Sequence, residues 1–193
     1  MTHLTMIAGL GNPEERYERT LHNAGFWFAD ALARSANEAF RYDKRSDAQI
    51  CRITVAGEDV WLVKPQSYMN LSGGPIRSLL DYYRLQAEQL LVAHDEIDLP
   101  PGTVRLKKGG GHGGHNGLRD TIRHCGADFM RLRLGVGHPG DKNLVTSYVL
   151  KRGSAEVEAA LHREIDAALK VMPLLVSGGL DAAMKELHTQ SDD

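Results

Sequence analysis

Residues 4–10 read LTMIAGL and stop at Gly11-Asn12-Pro13. A short apolar run closed by glycine and Asn-Pro is the pattern of a buried strand ending in a turn, here one that delivers Asn12 to the end of the strand. That buried strand needs neighbours, and the rest of the chain offers them. Gln49–Val55 and Asp59–Val63 read as a hairpin around Ala56-Gly57-Glu58, and Leu90–Ala93 as another apolar strand ending in His94-Asp95-Glu96. Thr103–Leu106 and Arg131–Val136 add two more strands. Helical stretches alternate with them: one from just after Gly25 to about Glu38, one after Pro75 carrying Ile76, Leu79, Leu80 and Tyr83, and one from about Asn116 to Arg123. Val157, Leu161, Ile165, Leu169 and Met172 make the stripe of a long packing helix, and Ala182, Ala183 and Leu187 that of a shorter one. Strands interleaved with helices, plus one hairpin, predict an α/β fold: a single three-layer domain over residues 1–193, with a mixed central β-sheet flanked by helices.

With 193 residues, 42% hydrophobic, 25% charged and a formal net charge of -2, the chain has an ordinary globular balance and needs no covalent staple. Cys51 and Cys125 form no CxxC pair and read as reduced thiols, which predicts a cytoplasmic protein. No run approaches the ~20 apolar residues of a membrane span, and the N-terminus has no signal-peptide pattern. The charge is unevenly spread. Between Pro101 and Gly135, Arg105, Lys107, Lys108, Arg119, Arg123, Arg131 and Arg133 outnumber Asp120 and Asp128, whereas from Gly153 onward eight acidic residues face three basic ones. A local basic field of this kind attracts a polyanion to one face of a weakly acidic protein. Two solvated faces of opposite sign are the plainer alternative.

Gly9-Leu10-Gly11-Asn12-Pro13-Glu14 begins like a dinucleotide-binding turn but has Glu14 where the last glycine belongs. GxxxxGK[ST], HExxH and GxSxG are all absent, which removes the usual carriers of nucleotide hydrolysis, zinc proteolysis and serine-hydrolase chemistry. Histidines, asparagines and one aspartate remain, placed where strands give way to loops. Asn12 follows the first strand and Asp95 the Leu90–Ala93 strand, so both reach the crevice at the strands' carboxyl ends. His22, just ahead of a helix, is suited to accept a proton near neutral pH with Asp95 fixing its tautomer, although a helix-entry histidine is the commoner case. Asn70 is either a helix cap or an amide beside the cleft. Lys107–Gly117 holds five glycines between Lys108 and His115; it reads as a flexible loop or as one whose amides approach an anion. For His112 and His115 as a metal pair no completing ligand set is visible.

Gly9–Pro13, Thr20-Leu21-His22-Asn23-Ala24-Gly25, Lys64–Gly73, Asp95-Glu96-Ile97-Asp98, Gly113-Gly114-His115-Asn116-Gly117 and Arg131–Gly140 together resemble, in order and as far as about Leu150, bacterial peptidyl-tRNA hydrolase. Beyond Gly153 the likeness is one of length and helical character. The resemblance implies cleavage of the ester between a peptide's carboxyl end and the tRNA 3′-terminal ribose, without metal or other cofactor. It implies His22 as base and Asp95 as its orienting acid. Asn12, Asn70 and Asn116 would position water, peptide carbonyl and terminal nucleotide, His115 would line the cleft, and Tyr17 and Met69 would bound it. Tyr68 leaves the size of the peptide pocket open. Lys107 and Arg133 would hold the 5′ phosphate. The implied partner is peptidyl-tRNA through its acceptor end, CCA and 5′ phosphate, with neither DNA nor membrane, and the chain is expected to be a monomer. Two competing classes remain: an RNA-binding member of a splicing assembly, which needs an exposed apolar patch, and a metal-dependent peptidase, which needs ligands.

Overall fold

The computed structural model describes residues 3–191, with side chains through 189. Its elements run β1 (Met6–Gly9), α1 (Ala24–Ser35), β2 (Arg41–Asp43), β3 (Ala48–Val55), β4 (Glu58–Pro65), α2 (Gly73–Tyr82), β5 (Leu90–Glu96), β6 (Val104–Lys108), α3 (Asn116–Cys125), β7 (Met130–Gly135), α4 (Val145–Val149), α5 (Ala155–Val176) and α6 (Leu180–Ser191). The strands form one sheet in the order β2-β3-β4-β1-β5-β7-β6. Its middle, β4-β1-β5-β7, is parallel, and the antiparallel strands β2, β3 and β6 complete the edges. This is the expected mixed α/β sheet in a single domain.

The period of two along each strand explains the layers. Ile7, Leu91, Ala93, Leu132 and Leu134 join Phe28 and Leu32 of α1 and Leu161, Ile165 and Met172 of α5 in one core. Their neighbours Met6, Ala8, Leu90 and Val92 join Ile76 and Leu79 of α2 and Leu118 of α3 in a second core on the other face. Because β1 and β5 are buried on both faces, their sequence is continuously apolar rather than alternating.

Two glycines set how closely α1 approaches the sheet. A Cβ on Gly9 would stand 2.1 Å from the Gly25 carbonyl oxygen, and one on Gly25 would stand 2.3 Å from that of Ala93. The first turn of α1 therefore lies directly against the ends of β1 and β5, and it carries His22 there with it.

Several expectations need correction. β5 continues through His94, Asp95 and Glu96, so Asp95 is held by a strand rather than by a loop. Asn70 caps nothing: it sits inside the 3-10 turn Met69–Leu71, and α2 begins after Ser72. Arg131, counted in the basic field, is 2% exposed, and Glu164, counted in the acidic tail, is 1% exposed. Both cysteines are free and buried.

Candidate active site

Leu10 continues the sheet by donating its N–H to the Ala93 carbonyl at 3.0 Å, so the chain leaves β1 beside the end of β5. Asn12 is then fixed from three sides. Its N–H donates to Asn23 Oδ1 (2.8 Å), its carbonyl accepts from Asn23 Nδ2 (2.9 Å), and its Oδ1 accepts from the Met69 N–H (2.8 Å). The last bond settles which way the amide faces. Oδ1 is occupied, and Nδ2 is a donor with no partner among the described residues.

His22 lies in the 3-10 turn Leu21–Asn23 that runs into α1. Its Nδ1 is 2.9 Å from Asp95 Oδ2. Asp95 is 4% exposed, and its other oxygen, Oδ1, is 2.8 Å from His115 Nε2. His115 is the N-cap of α3, and its Nδ1 accepts the Leu118 N–H at 3.2 Å. A nitrogen that accepts from an amide carries no proton, so this network assigns the His115 proton to Nε2, where it is donated to Asp95. One carboxylate is thus gripped by two imidazoles, one from each side of the sheet. Burial by itself would raise the Asp95 pKa; His22 and His115 overcome it and hold the carboxyl well below the usual range. For His22 burial pulls downward, but the Asp95 charge and hydrogen bond outweigh it and the net shift is upward from 6.5.

His94, the neighbour of Asp95 on the strand, donates Nδ1–H to the Asp95 carbonyl (2.9 Å) and meets the His115 ring edge-on at 5.2 Å. Burial, and His115 after it, push its pKa down to about 4, so it is neutral under ordinary conditions. Its Nε2 is buried without a partner among the described residues. The donor atoms of His22, Asp95 and His115 lie within 4.8 Å of one another, a spacing that suits a metal. Asp95 and His22 are thus the neighbours that the sequence did not reveal for His115. His112 is outside this group and accepts the Gly114 N–H within its own loop. Hydrogen bonds already satisfy Asp95 and both His115 nitrogens without an ion.

Around this cluster the other expected residues fall into two sets. Met69 is buried, with Sδ packed where a Cβ on Gly117 would stand 2.5 Å away. Asn70 is exposed beside it, and Asn116 is exposed beside His115 with its Oδ1 accepting from Arg119 (3.2 Å). Tyr68 is exposed and its hydroxyl donates to the Glu14 carboxylate; Tyr17 is half-buried under the Arg16 guanidinium. The cationic residues lie on the neighbouring strands. Register pairs His94 with Arg133 and Arg133 with Arg105, then Arg131 with Lys107, so these side chains share one face of the sheet. Arg133 is tied to Glu96 at 2.9 Å, whereas Lys107 has no carboxylate partner among the described residues. A groove of about 850 Å³ runs from Asn12 past Trp27 and Lys64 to His162. None of His22, Asp95 or His115 lines it, so hydrogen bonding and charge, rather than cavity size, mark the site. Asn23 and His94 were not singled out from the sequence; a buried polar residue that works through backbone contacts leaves no periodic signal.

A carboxylate-steered imidazole near an uncommitted amide donor suits the addition of water to an acyl group, and by class the molecule is a hydrolase acting on an ester. Comparison with known proteins defines it further. The sequence model of the family described as peptidyl-tRNA hydrolase matches residues 6–193. The peptidyl-tRNA hydrolase of Marinobacter nauticus is 51% identical over 187 residues, covering 96% of this chain and 95% of the relative. That of Xanthomonas axonopodis pv. citri is 50% identical, covering 98% and 99%. The crystal structure of peptidyl-tRNA hydrolase from Acinetobacter baumannii superposes with a TM-score of 0.95 at 42% identity, over 97% of this chain and 96% of that one. The chain belongs to the peptidyl-tRNA hydrolase family, and the reaction is hydrolysis of peptidyl-tRNA.

Proposed function

We propose that His22 is the general base of this hydrolysis. The observation that carries the reading is the 2.9 Å bond from His22 Nδ1 to Asp95, with no partner for the imidazole's other nitrogen among the described residues. A carboxylate can only accept, so Nδ1 holds the proton and Nε2 presents its lone pair. Water gives a proton to Nε2 and its oxygen bonds to the carbonyl carbon of the ester. The tetrahedral intermediate then expels the ribose oxygen, which takes the proton back from His22. Asp95 touches no reacting atom in this scheme; it orients the ring and stabilises its charged form. The free Nδ2 of Asn12 supports a role in holding the water or the developing oxyanion, with Asn70 and Asn116 as exposed amides for the peptide carbonyl and terminal nucleotide. Tyr17, Tyr68 and Met69 bound the cleft, and His115 holds Asp95. Lys107 and Arg133 take the 5′ phosphate, Arg133 sharing itself with Glu96. The enzyme acts as a cytoplasmic monomer on the acceptor end and its CCA, without a metal. No helix among the described residues is long and apolar enough to cross a membrane.

His22→Ala tests this directly. It is expected to lower kcat on peptidyl-tRNA by about 10²-fold or more with little change in KM. A loss of only a few fold removes His22 as base. Because the His22 pKa is raised, the ascending limb of kcat/KM against pH should centre above 6.5, and Asp95→Asn should move it downward. Full activity in the presence of a chelator is the companion result.

A further inference from the structure

We propose that Arg131 is a positioning residue for tRNA binding: its buried guanidinium turns the glycine-rich loop so that the N–H groups of Gly111 and His112, beside the Lys107 ammonium, form a cradle for a phosphate. The inference rests on the reading above that this face receives tRNA.

Arg131 projects from β7 and is 2% exposed. One terminal nitrogen donates to the Gly111 carbonyl; the other donates to those of Gly110 (2.7 Å) and Ala127 (3.2 Å). Two successive loop carbonyls are therefore turned inward. Among the described residues every peptide bond is trans, and in a planar trans peptide the following N–H points opposite to the carbonyl. The N–H groups of Gly111 and His112 consequently face outward, and neither has a partner among the described residues. Gly110 adopts φ +108, which only glycine takes readily, so the turn depends on that residue.

Charge points the same way. A Cβ on Gly110 would stand 2.9 Å from Lys107 Nζ and 3.6 Å from an Arg131 terminal nitrogen, so two cations crowd one point. Among the described residues no carboxylate pairs with either. Two like charges at this separation repel, and a bound anion relieves them; outward amides beside a free ammonium suit a tetrahedral oxyanion. Arg131 does not reach the ligand. It acts through the loop it holds.

Two measurements test the assignment. In the first, the ¹⁵N-labelled wild type is titrated with inorganic phosphate at constant ionic strength, then with an acceptor-stem hairpin bearing a 5′ phosphate. The amide resonances of Gly111 and His112 are expected to shift with both, and the phosphate-induced shift should largely vanish in Lys107→Ala. In the second, Arg131→Lys keeps the charge and loses the grip on two carbonyls. KM for peptidyl-tRNA is expected to rise several-fold and the salt dependence of kcat/KM to weaken by about one unit of slope, with kcat falling far less. A merely structural Arg131 would instead lower kcat and Tm with KM and slope unmoved, and that overturns the proposal. If Arg131→Lys does not fold, the wild-type titration decides: still amides at Gly111 and His112, or equal shifts in Lys107→Ala, also overturn it. Amides that shift with inorganic phosphate but not with the hairpin would instead show that the reading of this face as the tRNA surface has failed, and the proposal with it; His22 is judged separately, by kcat and the pH profile.

Discussion

At the scale of single residues the centre is a set of side chains whose directions are already chosen. Asn12 shows it best: the Met69 N–H takes Oδ1, so the amide can offer only Nδ2. Asn12→Asp keeps the shape and the Met69 bond but aims a carboxylate oxygen where a donor stood. It is expected to cut kcat by ~10²–10³-fold while KM for peptidyl-tRNA and the folded spectrum change little; steady-state kinetics beside circular dichroism check this. Asn12 and Asp95 could be picked out as candidates because each sits where a short apolar run breaks, and His22 because it stands just ahead of a helix. Arg131 was misread for a physical reason. In Arg131-Leu132-Arg133-Leu134 the alternation assigns both arginines to the same polar face, and only the loop folded over Arg131 makes one of them buried. Nothing local to the strand encodes that cover.

At the scale of elements, α5 carries more than its apolar stripe. Glu164 accepts the N–H of Gly135 (2.6 Å) and of Gly102 (3.1 Å), joining the helix to the end of β7 and the turn before β6. Burial pushes its carboxyl up to about 8, against the pull of those two N–H donors. A raised pKa means that the folded state holds the proton more tightly than the unfolded one. This contribution to stability is complete below the unfolded value of 4.5 and is lost as pH rises towards 8. The unfolding free energy from urea titrations should therefore decline between pH 5 and 8, by on the order of a few kcal/mol at most, and this dependence on pH should flatten in Glu164→Gln. The helical stripe was readable from spacing, but a carboxylate inside it was not, because its partners are backbone amides far along the chain. β2 and α4 were missed for a simpler reason: three and five residues are too short to display a period.

At the scale of the molecule a net charge of -2 would be a poor advertisement for an RNA enzyme if charge acted as a sum. It acts locally. The row of Arg105, Arg133, Lys107 and Arg131 lies on one face of β6 and β7, whereas Glu156, Glu158, Glu164, Asp166, Asp181 and Glu186 are carried by α5 and α6. Accordingly, log kcat/KM for peptidyl-tRNA should fall linearly with log salt, and Lys107→Ala should reduce that slope by about one; an unchanged slope would move the contact surface elsewhere. The mixed sheet and its layers followed from the alternation of strand and helix patterns. The pairing of His22 with Asp95 was expected, but the meeting of His115 with the other oxygen of the same carboxylate was not, since no residue of a segment reports which other segment it will face.

That meeting has a consequence for how the enzyme comes into being. His22 reaches Asp95 from the layer containing α1 and α5, and His115 reaches it from the layer containing α2 and α3. A half-made chain on the ribosome is itself a peptidyl-tRNA, and until α3 is added it holds no second imidazole for that acid, nor α5 to pack against α1. A polypeptide stopped short of His115 therefore cannot complete the grip on Asp95.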